Sequence, residues 1–123
     1  MGIRVLIVED EANIVESVSF ILRREGLEVS SVADGDAALV RLRGGHPPAL
    51  VILDVMLPRR NGFEVLRALK SDARLSAIPV IMLTAKAQPH DRARADEAGA
   101  DAYITKPFSN RDLVEQVKRL CGG

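Results

Sequence analysis

The sequence has few of the residues that several classes of protein require. Cys121 is the one cysteine in 123 residues, so the chain can form neither an internal disulfide nor a cysteine-based metal cluster. Tryptophan is absent, and one tyrosine and three phenylalanines leave few platforms for stacking nucleic-acid bases. Acidic and basic side chains number seventeen each, which argues against the basic surface of a protein that binds DNA or anionic membranes. Function must therefore come from local clusters of charge.

Long apolar runs are also missing. No stretch approaches the roughly 18 apolar residues of a membrane span, and the first residues do not form a signal-peptide pattern. A length of 123 residues with 47% hydrophobic and 28% charged residues is typical of one globular domain. We therefore expect a single cytoplasmic domain over residues 1–123.

Short apolar runs recur five times, and each is too short for an ordinary helix. Three of them are continuous in Val, Ile and Leu, which is typical of parallel strands buried on both faces. The predicted strands are Ile3–Val8, Leu27–Val32, Leu50–Leu53, Pro79–Leu83 and Asp101–Thr105.

The segments after the strands have apolar residues at helical spacing. Gly26, Gly44 and Gly99 each follow such a segment, where a left-handed C-terminal cap favours glycine. Alternating strands and helices predict a three-layer αβα sandwich, an α/β fold whose five-stranded parallel sheet has the flavodoxin-like order 2-1-3-4-5. The stripes that define four of the helices are Ile14, Val18, Ile21 and Leu22; Ala38, Leu39 and Leu42; Phe63, Leu66 and Leu69; and Leu113, Val117, Leu120 and Cys121.

The fourth helical segment, from Pro89 to Ala98, differs because its apolar face consists of alanines, Ala93 and Ala95 together with Ala98. Few apolar contacts mean low local stability, so we expect this helix to be the part of the fold most able to shift. An ordinary solvated helix is the alternative interpretation.

Polar residues stand at the carboxyl ends of four predicted strands, where open parallel sheets bind ligands. Strand one is followed by Glu9 and Asp10, strand three by Asp54, strand four by Thr84 and strand five by Lys106. In the order 2-1-3-4-5 these strands are neighbours, so the side chains are expected to share one crevice.

Taken singly, most of these residues have a simpler interpretation, since Asp10 or Glu11 can cap the first helix and Thr84 can begin a turn. Asp54 is harder to explain because its neighbours in sequence are apolar, and an unpaired charge there is costly. Three clustered carboxylates repel one another unless a cation lies among them, and oxygen ligands favour Mg2+ over zinc. A metal beside Lys106 would suit a phosphoryl group.

In their order along the chain, these motifs resemble the receiver domain of bacterial two-component response regulators, a CheY-like family, from end to end. The resemblance implies that Asp54 accepts a phosphoryl group from a sensor histidine kinase or phosphotransfer protein, or from a small donor such as acetyl phosphate. The motifs that carry it are Glu9-Asp10, Asp54-Val55-Met56-Leu57-Pro58 with Gly62, Thr84-Ala85 and Lys106-Pro107-Phe108.

The resemblance also implies a metal site. Asp10, Asp54 and the backbone carbonyl of Met56 would bind Mg2+ directly, and Glu9 would act through a coordinated water.

The same resemblance assigns Lys106, the Thr84 hydroxyl and the Ala85 amide to the phosphoryl oxygens. It implies that Thr84 then moves inward and that Tyr103 rotates into the space it leaves, which changes the surface of the fourth helix, fifth strand and fifth helix. A downstream protein or a linked output domain would bind this surface. The Lys106-Pro107 bond is expected to be cis.

Two positions that vary among receivers influence how fast water removes the phosphate, and two others bear on dimerisation. Met56 and Lys86 offer no carboxylate or amide to orient a water near the phosphoryl group, so we expect a long-lived phosphoaspartate. Ala102 and Gln116 stand where charge pairs support dimers of receivers linked to DNA-binding domains. We therefore expect a monomer or a weak phosphorylation-dependent dimer.

Two other classes of function stay open. A haloacid-dehalogenase-like phosphatase also has a nucleophilic aspartate after an apolar strand, but the second aspartate of its usual motif is Met56 here. A pseudo-receiver, which binds a partner without phosphate, would be favoured by loss of Asp54, Thr84 or Lys106, and all three are present. Nucleotide binding is disfavoured because the turn directly after the first strand lacks the glycines that let the backbone approach phosphates.

Overall fold

A computed structural model describes residues 2–85 and 89–121, with side chains described for all of these except 89–91. Lys86, one of the positions predicted to affect phosphate lifetime, lies outside the described residues. Within the described part of the chain, five strands alternate with five helices: β1 Arg4–Val8, α1 Ala12–Arg24, β2 Glu28–Val32, α2 Gly35–Arg43, β3 Leu50–Asp54, α3 Gly62–Ser71, β4 Val80–Thr84, α4 Pro89–Ala98, β5 Ala102–Thr105 and α5 Asn110–Cys121.

The strands form one parallel sheet in the order β2-β1-β3-β4-β5, which confirms the predicted topology. Ile52 of β3 is in register with Ile7 of β1 on one side and with Ile81 of β4 on the other. The three central strands are buried almost throughout because helices cover both faces of the sheet, which is why their sequences are continuously apolar.

Two apolar layers, one on each face of the sheet, form the core. One layer packs α1 and α5 against the sheet through residues such as Leu22 and Leu113. The other packs α2 and α3 through residues such as Leu42 and Leu66. The predicted three-layer sandwich is therefore confirmed.

Helix ends follow local capping chemistry. Asn61 and Glu64 form a reciprocal capping box that fixes the start of α3. Gly26 and Gly99 have positive φ angles of 84° and 97°, as predicted for left-handed residues after α1 and α4. The prediction for Gly44 was wrong: its φ is −82°, and the next residue, Gly45, has the positive φ of 111°.

α4 has a smaller apolar contact than its three alanines suggested. Ala95 is fully buried and Ala98 is partly buried against the core, but Ala93 is exposed. The reason is angular, because residues 93 and 95 lie about 200° apart around a helix. The expected ease of movement of α4 stays a prediction.

No helix among the described residues is long and apolar enough to cross a membrane.

Candidate functional site

The carboxyl edge of the sheet carries a cluster of buried polar side chains. Asp54 is the last residue of β3 and Thr84 the last of β4, while Glu9 directly follows β1. All three are buried, Asp54 with only 2% of its surface exposed. The order of the strands therefore brings together residues that are far apart in the sequence.

Lys106, which follows β5, links the acidic residues of this cluster. Its Nζ atom lies 2.8 Å from Glu9 Oε1 and 3.2 Å from Asp54 Oδ2, and 12% of its side chain is exposed. Its backbone amide donates a hydrogen bond of 2.6 Å to the Thr84 carbonyl, which fixes the chain beside the end of β4. The Lys106-Pro107 peptide bond is cis, as predicted.

The backbone around Asp54 is tightly packed. The Met56 amide donates a 3.1 Å hydrogen bond to Asp54 Oδ1, and the Val55 amide donates to the Leu83 carbonyl of β4. The loop then returns so closely that a Cβ atom on Gly62 would clash with the Asp54 carbonyl oxygen. Only glycine fits that position without a backbone shift, which explains why Gly62 belongs to the Asp54 motif.

Burial and neighbouring charge shift two pKa values in the cluster. Burial is the largest cause that raises the pKa of Glu9, and the nearby Asp54 carboxylate raises it further, although the hydrogen bond from Lys106 opposes both. For Lys106, burial lowers the pKa, but the Glu9 hydrogen bond and the charge of Asp54 outweigh burial, so its pKa is raised. Lys106 is thus held in its charged form between two carboxylates.

The acidic side chains have the chemistry of a site for a hard divalent cation. Glu9, Glu11 and Asp54 each offer one carboxylate oxygen, and these three oxygens lie within 4.8 Å of one another. Carboxylate oxygens are ligands that Mg2+ prefers. The three carboxylates face the single ammonium group of Lys106, so the group has an excess of negative charge that a cation would offset.

The acidic group that the structure brings together differs from the predicted one. Asp10 is exposed and does not belong to the close carboxylate group among the described residues, whereas Glu11 does. The chain turns between Glu9 and the first residue of α1, and the Glu11 amide donates a 3.0 Å hydrogen bond to Glu9 Oε2. Glu11 occupies the N-cap position of α1, but its side chain makes no capping hydrogen bond. The consecutive acids Glu9-Asp10-Glu11 were the only signal for Glu11 in the sequence, and the role of Asp10 stays a prediction.

The remaining predicted residues lie on, or directly after, the strands that carry the cluster. Met56 is 73% exposed at the mouth of the site, and Ala85 is exposed directly after β4. Tyr103 is half-buried in β5, where it pairs in register with Met82 of β4, and Thr84 pairs with Thr105. Thr84 and Tyr103 therefore lie on adjacent strands, two positions apart in the register.

Known proteins share both the sequence and the fold. The model of the family described as response regulator receiver domain matches residues 5–118. The phosphate regulon transcriptional regulatory protein PhoB of Klebsiella pneumoniae is 45% identical over 120 residues, which cover 98% of this chain and 52% of that protein. The chain thus spans about half the length of the curated relatives it matches.

Solved structures agree with this match. The signal receiver domain of a signal transduction histidine kinase from Syntrophus aciditrophicus is 40% identical, has a TM-score of 0.90, and is matched over 92% of its length and 100% of this chain. The receiver domain of sensor histidine kinase PA1611 from Pseudomonas aeruginosa, solved with magnesium in its active site cleft, is 31% identical with a TM-score of 0.89 and full coverage of both chains. The chain belongs to the family of response regulator receiver domains.

Proposed function

We propose that the chain is a phosphorylation-dependent signalling switch in which Asp54 accepts a phosphoryl group from a sensor histidine kinase or a phosphotransfer protein. The family is one of signalling domains rather than of conventional enzymes. The observation that best supports this role is the placement of Asp54, buried at the end of β3 with Oδ2 3.2 Å from Lys106 Nζ. A buried carboxylate beside a fixed cation suits a nucleophile whose product is a dianion.

The proposed transfer is a displacement at phosphorus. An oxygen of the Asp54 carboxylate attacks the phosphorus atom, the phosphorus–nitrogen bond of the phosphohistidine breaks, and the imidazole nitrogen takes the electron pair. Lys106 offsets the charge of the phosphoryl oxygens, and the Thr84 hydroxyl and Ala85 amide donate hydrogen bonds to them. Lys106 also binds Glu9, so it does not need to move far to exchange one anionic partner for another.

The donor set fits Mg2+, which we propose as the cofactor. Glu9, Glu11 and Asp54 are the carboxylates that the fold groups together, and the resemblance adds Asp10 and the Met56 carbonyl. When bound, Mg2+ supplies positive charge that reduces the repulsion between the Asp54 carboxylate and the incoming phosphoryl oxygens.

The proposed output is a change of the α4-β5-α5 surface. A phosphoryl group on Asp54 would draw the Thr84 hydroxyl inward, and Tyr103 would rotate toward the space that opens. A downstream effector protein or a linked output domain would bind the altered surface, since PhoB is named as a transcriptional regulator and is about twice as long as this chain. We propose a cytoplasmic monomer or weak phosphorylation-dependent dimer that itself makes no contact with nucleic acid or membrane.

The test is incubation of the protein with acetyl phosphate and Mg2+, followed by intact mass measurement, with Asp54→Ala as the matched control. We expect one added phosphoryl group in the wild type, none in Asp54→Ala, and a much smaller gain when EDTA removes the metal. An equal gain in the variant would reject Asp54 as the acceptor. Turnover of a phosphate ester would favour the phosphatase class, and no gain from any donor or kinase would favour a pseudo-receiver.

Phosphate lifetime gives a second test of the same site. Because the thioether of Met56 cannot orient a water, we expect the phosphoaspartate to last minutes rather than seconds. Met56→Asn places an amide at the exposed mouth of the site and should shorten the half-life severalfold, whereas Met56→Leu should not. Phosphate release followed after removal of the donor measures this, and a wild-type half-life of seconds would contradict it.

A further inference from the structure

α4 is attached to the rest of the domain by an unusually small apolar surface. Of its described side chains, only Ala95 is fully buried, and an alanine buries a single methyl group. Hydrophobic stabilisation scales with the apolar area buried, so Ala95 and the partly buried Ala98 can hold the helix only weakly. Other contacts must fix the position of α4.

Two arginines of α4 lie over aromatic rings of neighbouring elements. The Arg94 guanidinium carbon is 4.2 Å from the centroid of the Phe63 ring of α3, and that of Arg92 is 5.8 Å from the centroid of the Tyr103 ring of β5. Residues 92 and 94 are about 200° apart around a helix, and Ala95 lies between these two directions. The two arginines therefore reach to opposite sides of the buried alanine, one toward α3 and one toward β5.

The two contacts differ in strength. Both arginines are exposed, but Phe63 is 2% exposed within the apolar core, and a closer contact with a buried ring is better shielded from water than a contact with a wetter ring. Tyr103 is only half-buried, and its contact with Arg92 is longer by more than an ångström. The contact to α3 should thus persist under conditions in which the contact to β5 breaks.

We propose that Arg94 is the permanent anchor of α4 and Arg92 its releasable latch, so that a change in the orientation of Tyr103 frees the β5 side of α4 while the α3 side stays attached. Rotation of Tyr103 removes the ring face beneath the Arg92 guanidinium, whereas Phe63 belongs to the fixed core. α4 would then pivot about its contact with α3. The proposal rests on the proposed function only where it names phosphorylation as the event that turns Tyr103.

The unphosphorylated protein tests the two contacts directly. Amide hydrogen exchange of α4 is measured for Arg94→Gln and Arg92→Gln, with Arg111→Gln on the exposed face of α5 as the matched arginine control. Loss of the anchor should speed exchange in α4 by about tenfold and loss of the latch by about threefold. Rates equal to those of Arg111→Gln for both variants would overturn the proposal.

A double substitution identifies the ring that Arg92 uses. Tyr103→Leu removes the ring, so it should speed α4 exchange as Arg92→Gln does, and combining the two should add nothing further. A full threefold increase from Arg92→Gln in the Tyr103→Leu background would show that Arg92 acts elsewhere and would reject the latch.

Phosphorylation provides the last arm. Acetyl phosphate with Mg2+ should speed α4 exchange in the wild type and in Arg94→Gln, but change it little in Arg92→Gln, where the latch is already open. An increase in Arg92→Gln as large as in the wild type would reject release of the latch. If the wild type takes up no phosphoryl group, the proposed function fails, while the exchange rates of the unmodified variants still decide whether the two arginines hold α4.

Discussion

Two lysine–glutamate pairs lie at opposite ends of the sheet and differ mainly in their surroundings. At the carboxyl end, Lys106 and Glu9 are 2.8 Å apart, with side chains 12% and 0% exposed. At the amino end, Lys118 of α5 and Glu25 after α1 are 3.1 Å apart, with side chains 57% and 34% exposed. The geometry of the two pairs is similar, but only the first has been removed from water.

The difference shows which end of the domain holds buried charge. Next to Lys118 and Glu25 is a cavity of about 250 Å³ with mainly apolar walls that include Ile3, Leu27 and Cys121. Next to Lys106 is a second buried carboxylate, Asp54, so buried charge is concentrated at the carboxyl end, whereas the charged pair at the amino end is largely solvated. A buried group of two carboxylates and one lysine has excess negative charge, which stability explains poorly and which agrees with the proposed cation site.

The largest effect should come from removing the lysine of each pair in turn. Lys106→Met leaves two buried carboxylates without their cation, and we expect it to lower the free energy of unfolding by about 4 kcal/mol. Lys118→Met removes a solvated partner and should cost less than about 1 kcal/mol. Urea unfolding in metal-free buffer measures both values, and equal losses at the two ends would contradict the comparison.

Glycines at the two ends offer a second contrast. Gly62→Ala places a methyl group against the Asp54 backbone at the carboxyl end, and overpacking of this kind costs about 3 kcal/mol. At the amino end, a Cβ on Gly26 would meet no described atom within 4 Å. Gly26→Ala should therefore lower the free energy of unfolding only through the strain of an alanine at a φ of 84°, about 1 kcal/mol.

The two alanine variants also differ in their effect on the site. Gly62→Ala should slow phosphoryl uptake from acetyl phosphate because the Asp54 backbone must shift, whereas Gly26→Ala should leave the rate unchanged. Unfolding curves and the rate of mass gain check the two parts separately, and a slowed rate in Gly26→Ala would mean that the amino end also controls Asp54.

A smaller effect is expected from the titration of Glu9. Since its pKa is raised in the folded protein, mainly by burial, the folded state binds more protons than the unfolded state just above pH 4.5, the ordinary pKa of a glutamate. The stability that Glu9 contributes is therefore complete below pH 4.5 and decreases as the pH rises through the folded pKa. Comparing wild type with Glu9→Gln in EDTA from pH 4.5 upward should show the wild type losing stability relative to the variant. A gain would reverse the sign and contradict the shift.

Much of this end of the sheet could be predicted from the sequence because parallel strands impose the geometry. Continuous apolar runs located β3 and β4, and the strand order then required Asp54, Thr84 and Lys106 to converge. The prediction needed no side-chain detail, only the rule that neighbouring parallel strands end at the same edge.

Details that depend on backbone torsions could not be predicted. Glu11 joins Glu9 and Asp54 because residues 9–11 turn before α1, and spacing alone does not distinguish Glu11 from Asp10. Which of Gly44 and Gly45 takes the positive φ depends on how the following loop closes. The contacts of Arg92 and Arg94 with aromatic rings could not be predicted either, because arginines on a weakly apolar helix are normally interpreted as solvated residues.

The smallest effect concerns Cys121, whose pKa is raised like that of Lys106. A raised pKa favours the neutral form of a thiol but the charged form of a lysine. Burial alone raises the pKa of the Cys121 thiol, so the neutral form is favoured, whereas the carboxylates around Lys106 favour its charged form. Alkylation requires the thiolate, so folded protein at neutral pH should react with iodoacetamide severalfold more slowly than the same protein in urea. Mass spectrometry over time gives both rates. Equal rates would show that the amino end tolerates an anion, and the contrast between the two ends of the sheet would then no longer hold.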